Sequence, residues 1–323
     1  MLKAFLFDDK RGEVVTDWES AARRLSDRQL LWVDLEDPVE DERRSVWAAF
    51  CLNAELGERE GERAPGVLFH DGYISVTATA AQADPDSPAS AAQSLEFFIG
   101  TNWTVTTHRP GCVPVESFMQ MVTGAGNVGL LDAPAFVATL LESVVATYAD
   151  AFSEIERTLE DFDAKVLGSP ERDVEAEVRE LVAARRRVGS LRRSLAPHRA
   201  VFAALSHSEL DLVTTEKSAR RFAHLEQRVG DTLESGRVAK ESVVNSFDML
   251  ILRTEHQTNE VVKVLTLASI LLLPGALLAG LMGMNVNLTG TDFVTSPLFW
   301  GVLVTILVTA GATIAFARRR HWV

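Results

Sequence analysis

The chain has 323 residues with 45 acidic and 32 basic side chains, and the resulting formal net charge of −13 disfavours a nucleic-acid partner. Its mean hydropathy is close to zero and averages two compositions, a soluble one up to about residue 260 and a membrane one beyond it. The two cysteines, Cys51 and Cys112, lie far apart with no CxxC pair, which fits a reducing compartment and argues against a structural zinc site.

The first ten residues (MLKAFLFDDK) contain acids and no long apolar core. No signal peptide is expected, and the soluble part is expected in the cytosol. Residues 1 to about 120 read as a mixture of strands and helices. Strands are predicted at Leu2–Phe7, Leu31–Leu35, Val67–His70, Tyr73–Thr79, Leu95–Ile99 and Trp103–Thr107, several with β-branched or aromatic residues in alternation. Helical spacing is found at Ser20–Gln29 and Val39–Leu56, and Gln82–Ser94 reads as a loop from its Pro, Asp and Ser content. This part offers no catalytic set. The seven histidines of the chain are scattered, with no HxH or HExxH, and a lone histidine here reads as satisfied packing or surface.

Gly124-Ala125-Gly126-Asn127-Val128-Gly129 fits G-x-G-x-x-G. A dinucleotide fingerprint needs a strand just before it and a helix N-terminus just after. Here Glu116–Val122 reads as helical and the next helix begins at Pro134 after a gap, so the segment reads as a loop. From Ala133 to Ser208 the pattern is all helix. Apolar residues recur at three- and four-residue steps from Phe136 to Val166, Gly168-Ser169-Pro170 breaks the run, and a second arm continues to Leu195. Ser169 is the expected N-cap of that arm, with Pro170 at its first helical position. The resulting αα-hairpin is acidic from Asp150 to Glu180 and basic from Arg185 to Arg193. It reads either as solvated faces joined by cross-helix ion pairs of little energy or as a carboxylate surface that gathers divalent cations.

After Ser206–Ser208 one helix is predicted to run to Met284, about 75 residues and on the order of 110 Å long. Phe222, Leu225, Val229, Leu233, Val243, Phe247 and Leu250 give it an apolar stripe. A rod of that length calls for partners. Identical rods around an axis would bury the stripe and align their membrane segments, which points to a symmetric oligomer with an axial pore.

Two uncharged runs close the chain, Val264–Met284 and Phe293–Ala317. Each is long enough to cross roughly 30 Å of hydrocarbon as a helix, so the C-terminus reads as a transmembrane hairpin with Asn285–Asp292 as its turn. Lys263 precedes the first span and Arg318-Arg319-Arg320 closes the second, while the turn holds no Lys or Arg. The positive-inside rule then puts both termini in the cytoplasm and the turn outside. Counting back from Asn285 at helical steps gives one face, Gly280, Ala276, Leu273, Ser269, Leu265, Val262 and Asn259. A pore lined this way is narrow and partly apolar, and apolar constrictions gate by dewetting. Asn285 offers a neutral carboxamide oxygen able to accept from the waters of a hydrated Mg²⁺. The plainer reading makes it a helix C-cap. Pro274 removes one backbone bond in the span, and no acid lies in either span.

Gly283-Met284-Asn285 closing the first of two C-terminal spans, the Arg-rich end and the charged helical stretch upstream resemble the CorA-type family of divalent-cation transporters. Thr258-Asn259-Glu260 followed by Val264-Leu265-Thr266 resembles the family's entry to its first span, and Trp32-Val33-Asp34-Leu35 its first cytosolic strand. The resemblance covers nearly the whole chain and is strongest over 255–323. It implies an α+β cytosolic domain (1–130), a helical hairpin and stalk helix (131–260) and a two-helix transmembrane pore domain (261–323), assembled as a homopentameric funnel in the cytoplasmic membrane. It further implies that Asn285 holds the hydrated ion through its waters, that Gly283 lets the backbone turn, that Met284 packs the loop, and that Asn259 lines the cytosolic mouth. The implied cargo is Mg²⁺, with Co²⁺ and Ni²⁺, and no cofactor or enzymatic activity. Two departures are visible: Met282 stands where an aromatic is frequent, and Val286–Asp292 lacks the Met-Pro-Glu-Leu type segment of magnesium members. These leave the zinc-transporting branch open, although the spans and turn contain no His or Cys. A membrane-anchored helical scaffold is the alternative of a different class.

Overall fold

The computed structural model describes residues 1–8, 12–53, 64–82, 92–125, 132–168, 173–207, 216–283 and 297–319. They fall into two compact units, Met1–Phe247 and Asp248–Val323. The first unit begins with β1 (Leu2–Phe7), β2 (Gly12–Val14), α1 (Trp18–Arg23), β3 (Leu30–Glu36), α2 (Glu40–Ala49), β4 (Gly66–His70), β5 (Tyr73–Ala81), β6 (Ala92–Ile99) and β7 (Trp103–His108). Helices follow: α3 (Val113–Ala125), α4 (Ala133–Gly168), α5 (Val174–Leu195), α6 (His198–Ser206) and the start of α7 (Glu216–Gly283).

The strands form one seven-stranded sheet in the order β2-β1-β3-β7-β6-β5-β4. The pair β3–β7 is parallel and the other described pairs are antiparallel. β3 explains the arrangement. Its Leu31, Val33 and Leu35 join Trp47, Phe50, Phe98 and Val105 in a core beneath α1 and α2. Trp32, pointing the other way, meets Phe5 at 5.0 Å, Phe136 of α4 at 5.3 Å and Phe118 of α3 at 5.7 Å. A strand covered on both faces needs apolar residues at consecutive positions rather than in alternation, and LLWVDLE supplies them.

Helix α4 is long and apolar enough to cross a membrane, yet 61% of its most apolar window is buried inside the protein. Phe136, Tyr148, Phe152 and Phe162 are fully enclosed, so it is the central helix of a soluble core. α5 returns along it, with Asp173 accepting from the Glu175 N–H at 3.0 Å as its N-cap. The cap expected at Ser169 is therefore displaced; residues 169–172 lie outside the described residues.

Other boundaries also moved. The helix expected over Ser20–Gln29 is α1, which begins under the Asp17 cap (Ser20 N–H to Oδ1, 3.2 Å) and stops at Arg23. A Ser26–Gln29 turn, closed by side-chain bonds of 3.0 and 3.3 Å, then leads into β3. The helix expected over Val39–Leu56 ends at Ala49, where Cys51 adopts a φ of 52° and turns the chain out of the helix. Ala92–Ser94, expected at the end of a loop, open β6 and pair with β5. Strand β2 was not foreseen: three exposed residues carry no burial pattern.

The stripe on α7 has a different partner from the expected one. Phe222, Leu225, Val229 and Val243 are buried within this chain. Arg221 donates to the Ala135 carbonyl at 3.3 Å and to Thr139 Oγ1 at 3.0 Å on α4. At Gly236 a Cβ would stand 2.7 Å from Phe152 Cζ of α4 and 2.9 Å from Arg192 Cγ of α5. At these positions of the first unit the chain covers with its own residues a stripe that the rod argument gave to neighbouring copies. An amphipathic face states that something covers it, not what.

Candidate functional site

In the second unit α7 continues to Gly283, and α8 (Pro297–Arg319) follows. The most apolar window of α7 has none of its residues buried. Val261, Val264, Leu265, Leu272, Leu273 and Leu277 are all exposed, as are Val304, Leu307 and Val308 of α8. Apolar surface on this scale does not persist against water. Lipid, or other copies, must meet it.

Hydroxyl groups in these helices turn onto their own backbones. Thr266 donates to the Val262 carbonyl at 2.7 Å, Ser269 to Leu265 at 2.8 Å, Thr305 to Gly301 at 2.8 Å and Thr309 to Thr305 at 2.9 Å. A donor in hydrocarbon has no water to bond, so the i−4 carbonyl takes its place. α7 runs unbroken through Pro274, whose missing N–H leaves the Ile270 carbonyl without its usual donor.

The seven positions Asn259, Val262, Leu265, Ser269, Leu273, Ala276 and Gly280 all lie on α7. At 100° per residue they occupy about 120° of its circumference and a length of about 31 Å. Val262, Leu265 and Leu273 are 52%, 66% and 65% exposed; Asn259, Ala276 and Gly280 are exposed, and Ser269 is half-buried. Polar oxygens therefore occur near the start of the face and at its middle, with branched apolar residues between. Gly283 is the last residue of α7; Met284 and Asn285 lie outside the described residues. At the cytosolic end expected for this face, Lys263 pairs with Glu260 at 2.5 Å in the open, a contact of small energy.

The acidic hairpin is in part a lattice of ion pairs. Arg187 of α5 reaches Glu154 of α4 at 3.0 Å, and Arg179 lies 3.6 Å from Glu175 and 3.7 Å from Asp173. Among the described residues no three His, Cys, Asp or Glu side chains converge on a point that could hold a metal ion.

Two buried polar clusters were not read from the sequence. On β3 and β7, Trp32 Nε1–H donates to Thr106 Oγ1 at 3.0 Å, Thr106 donates to Asp34, and His108 Nε2 stands 3.2 Å from Asp34 Oδ1. His108 Nδ1 donates to the Arg109 carbonyl at 2.7 Å. Burial disfavours the imidazolium, but the hydrogen bond and charge of Asp34 outweigh it, so His108 titrates above its ordinary value. The second cluster ties β5 to α4 and α6. Thr79 N–H donates to His198 Nε2 at 3.0 Å, and Thr79 Oγ1 meets Tyr148 OH at 2.8 Å. Burial pushes His198 down to about 4. The sequence signal for the first cluster was Asp34, an acid inside an apolar strand; the second gave none.

Comparison with known proteins adds the following. The family model described as CorA-like Mg²⁺ transporter protein matches residues 27–319. The cobalt/magnesium transport protein CorA of Methanocaldococcus jannaschii is 20% identical over 310 residues, 93% of each chain. The complete structure of the CorA magnesium transporter from that organism aligns with a TM-score of 0.79 at 18% identity, covering 100% of this chain and 99% of that one. The full-length CmaX protein aligns at 0.74 with 20% identity, covering 99% and 97%. The ZntB cytoplasmic domain from Vibrio parahaemolyticus aligns at 0.61 with 14% identity, covering 79% and 98%. The shared fold is an α+β soluble domain, a long helix and a second apolar helix.

Proposed function

Because the chain belongs to the family of CorA-like Mg²⁺ transporter proteins, we propose that it carries divalent metal cations across the cytoplasmic membrane through a homopentameric pore. Mg²⁺ is the first cargo, with Co²⁺ and Ni²⁺ as further ones. The observation that carries this reading is the contrast between two helices of similar apolar character: α4 is enclosed by its own protein, whereas the apolar window of α7 has nothing of its own chain over it. α7 also carries, along one face of that window, the small and polar side chains that a water-filled path requires.

In this reading Gly283, Met284 and Asn285 form the outer selectivity loop. A ring of Asn285 carboxamide oxygens accepts from the waters of a hydrated ion, concentrating it without stripping it. Gly283 permits the turn and Met284 packs it. The ion then follows the face from Gly280 to Asn259, past Leu273 and Leu265. With Lys263, Arg318, Arg319 and Arg320 on the cytoplasmic side, both termini are cytoplasmic. An inside-negative potential supplies about 4.6 kcal/mol per divalent ion at 100 mV.

Zn²⁺ is the second reading, favoured by the departures of Val286–Asp292 from the magnesium-type loop. Uptake of Mg²⁺, Co²⁺, Ni²⁺ and Zn²⁺ by the purified protein in liposomes decides between them. Asn285→Ala and Gly283→Ala are expected to abolish uptake while the oligomer still assembles. Wild-type flux through Asn285→Ala at limiting Mg²⁺ would refute the role of the loop.

A further inference from the structure

We infer that Ser269 is a specificity-determining residue of the pore: its hydroxyl is held as an acceptor-only oxygen that divides the apolar constriction into two short halves. The inference rests on the transport reading above and adds to it a site within the membrane segment.

A serine hydroxyl has one hydrogen to donate and two lone pairs to accept with. At Ser269 the hydrogen is committed, since Oγ–H donates to the Leu265 carbonyl one turn back at 2.8 Å. What remains for any species beside this face is oxygen lone pairs. Water around a cation points its hydrogens outward, so such an oxygen accepts from the shell of a hydrated cation. Water around an anion points its hydrogens inward and finds no donor here. The bond to Leu265 thus gives a neutral residue a preference in the sign of the charge it assists.

The position gives the oxygen its second effect. Leu265 and Leu273 lie four residues on either side of Ser269, and both are strongly exposed apolar side chains on the same face. Four residues span about 6 Å of helix, a distance bridged by about two waters. Thr266, on the same arc, carries its hydroxyl beside Leu265, so without the Ser269 hydroxyl the apolar stretch runs unbroken from Thr266 to Leu273, about 10 Å, and an apolar constriction empties more readily as it lengthens. Ser269 marks the midpoint. Of the other polar side chains on this arc, Thr266 lies three residues away beside Leu265, and Asn259 lies ten residues away, about 15 Å along the helix.

The test is Mg²⁺ uptake by the full-length protein in liposomes, with Asn285→Ala measured in parallel and assembly checked by size-exclusion chromatography. Ser269→Thr keeps the hydroxyl and its i−4 bond and is expected to transport within twofold of wild type. Ser269→Ala is expected to lose about tenfold, the upper scale of one ordinary hydrogen bond. Adding Leu273→Ser to Ser269→Ala moves the hydroxyl one turn along and is expected to restore most of the loss. Undiminished flux in Ser269→Ala beside an inactive Asn285→Ala overturns the role of Ser269 and leaves the pore standing. Undiminished flux in both overturns the pore reading itself. A loss in Ser269→Ala that Leu273→Ser fails to restore also overturns the inference, because the effect then belongs to packing at that one position.

Discussion

Two buried histidines of the first unit are held in different protonation states, one as the imidazolium and one neutral, and their hydrogen-bond partners decide which. His108 faces two acceptors, the Asp34 carboxylate and the Arg109 carbonyl, so both ring nitrogens must hold hydrogen and the imidazolium is favoured. His198 faces one donor and one acceptor: Thr79 N–H requires a bare Nε2, and Leu195 O takes the hydrogen on Nδ1 at 3.1 Å. His198 is therefore neutral in the fold, with its pKa pushed down to about 4 from an ordinary 6.5. Protonation favours the unfolded chain, so this group's contribution to stability is complete above pH 6.5. It is lost as pH falls from there through about 4, in total about 3 kcal/mol. His108 has the opposite sign: its contribution is complete below its ordinary value and is lost as pH rises through the raised one. Urea unfolding followed by far-UV circular dichroism between pH 7 and 4 is expected to yield a steep acid limb. His198→Ala should be flatter by about 3 kcal/mol, and less stable at pH 7 because the Thr79 N–H loses its acceptor. Equal slopes in the two proteins would count against the neutral assignment. Of these clusters the sequence displayed only Asp34. Its partner His108 lies 74 positions on, and a pairing across that distance is set by the register of β3 against β7, which no local pattern encodes.

At the scale of the element, α7 was legible as one long helix and its apolar stripe as a buried face. The helix runs 68 residues from Glu216 to Gly283. What covers the stripe was not legible, because periodicity measures burial and is silent about the burying surface. Two glycines of this helix, Gly236 and Gly230, differ in their surroundings. A Cβ at Gly236 meets Phe152 Cζ at 2.7 Å and Arg192 Cγ at 2.9 Å, whereas a Cβ at Gly230 has nothing within 4 Å. The same substitution should then act in opposite directions. Gly236→Ala is expected to destabilise the first unit by about 1–3 kcal/mol, the cost of forcing a methyl into a packed contact. Gly230→Ala should stabilise it by up to about 1 kcal/mol through helix propensity alone. Urea midpoints for the two variants test the pair; a stabilised Gly236→Ala would mean that the hairpin does not press on α7 there. The candidate face was drawn from the sequence for a related reason. A 100° repeat places Asn259, Ser269, Ala276 and Gly280 on one face of a segment rich in leucine, valine and isoleucine.

The proposed pore would be a property of the assembled molecule, and so would its gate. Single-chain exposure cannot separate a side chain that meets lipid from one that meets an axial column of water, since both are open in one copy. Position around the helix can. Leu265 and Leu273 share the arc of Ser269, while Leu271 lies about 180° from the centre of that arc. Under the pore reading, a hydroxyl at either of the first two positions eases hydration of the constriction, and one at the third changes only a surface away from the ion. Leu265→Ser and Leu273→Ser are expected to raise resting cation leak by about tenfold each, the factor that follows from lowering a barrier by about 1.4 kcal/mol. Leu271→Ser should leave the leak as in the wild type, with its hydroxyl satisfied by the carbonyl one turn back, as Ser269 and Thr266 already are. Single-channel recording or liposome flux reads all three. Equal leak in all three variants and the wild type would move the gate off this face. Combined with undisturbed uptake in Asn285→Ala, it would favour a membrane-anchored scaffold, whose apolar helices serve as a tether and whose polar positions carry no load.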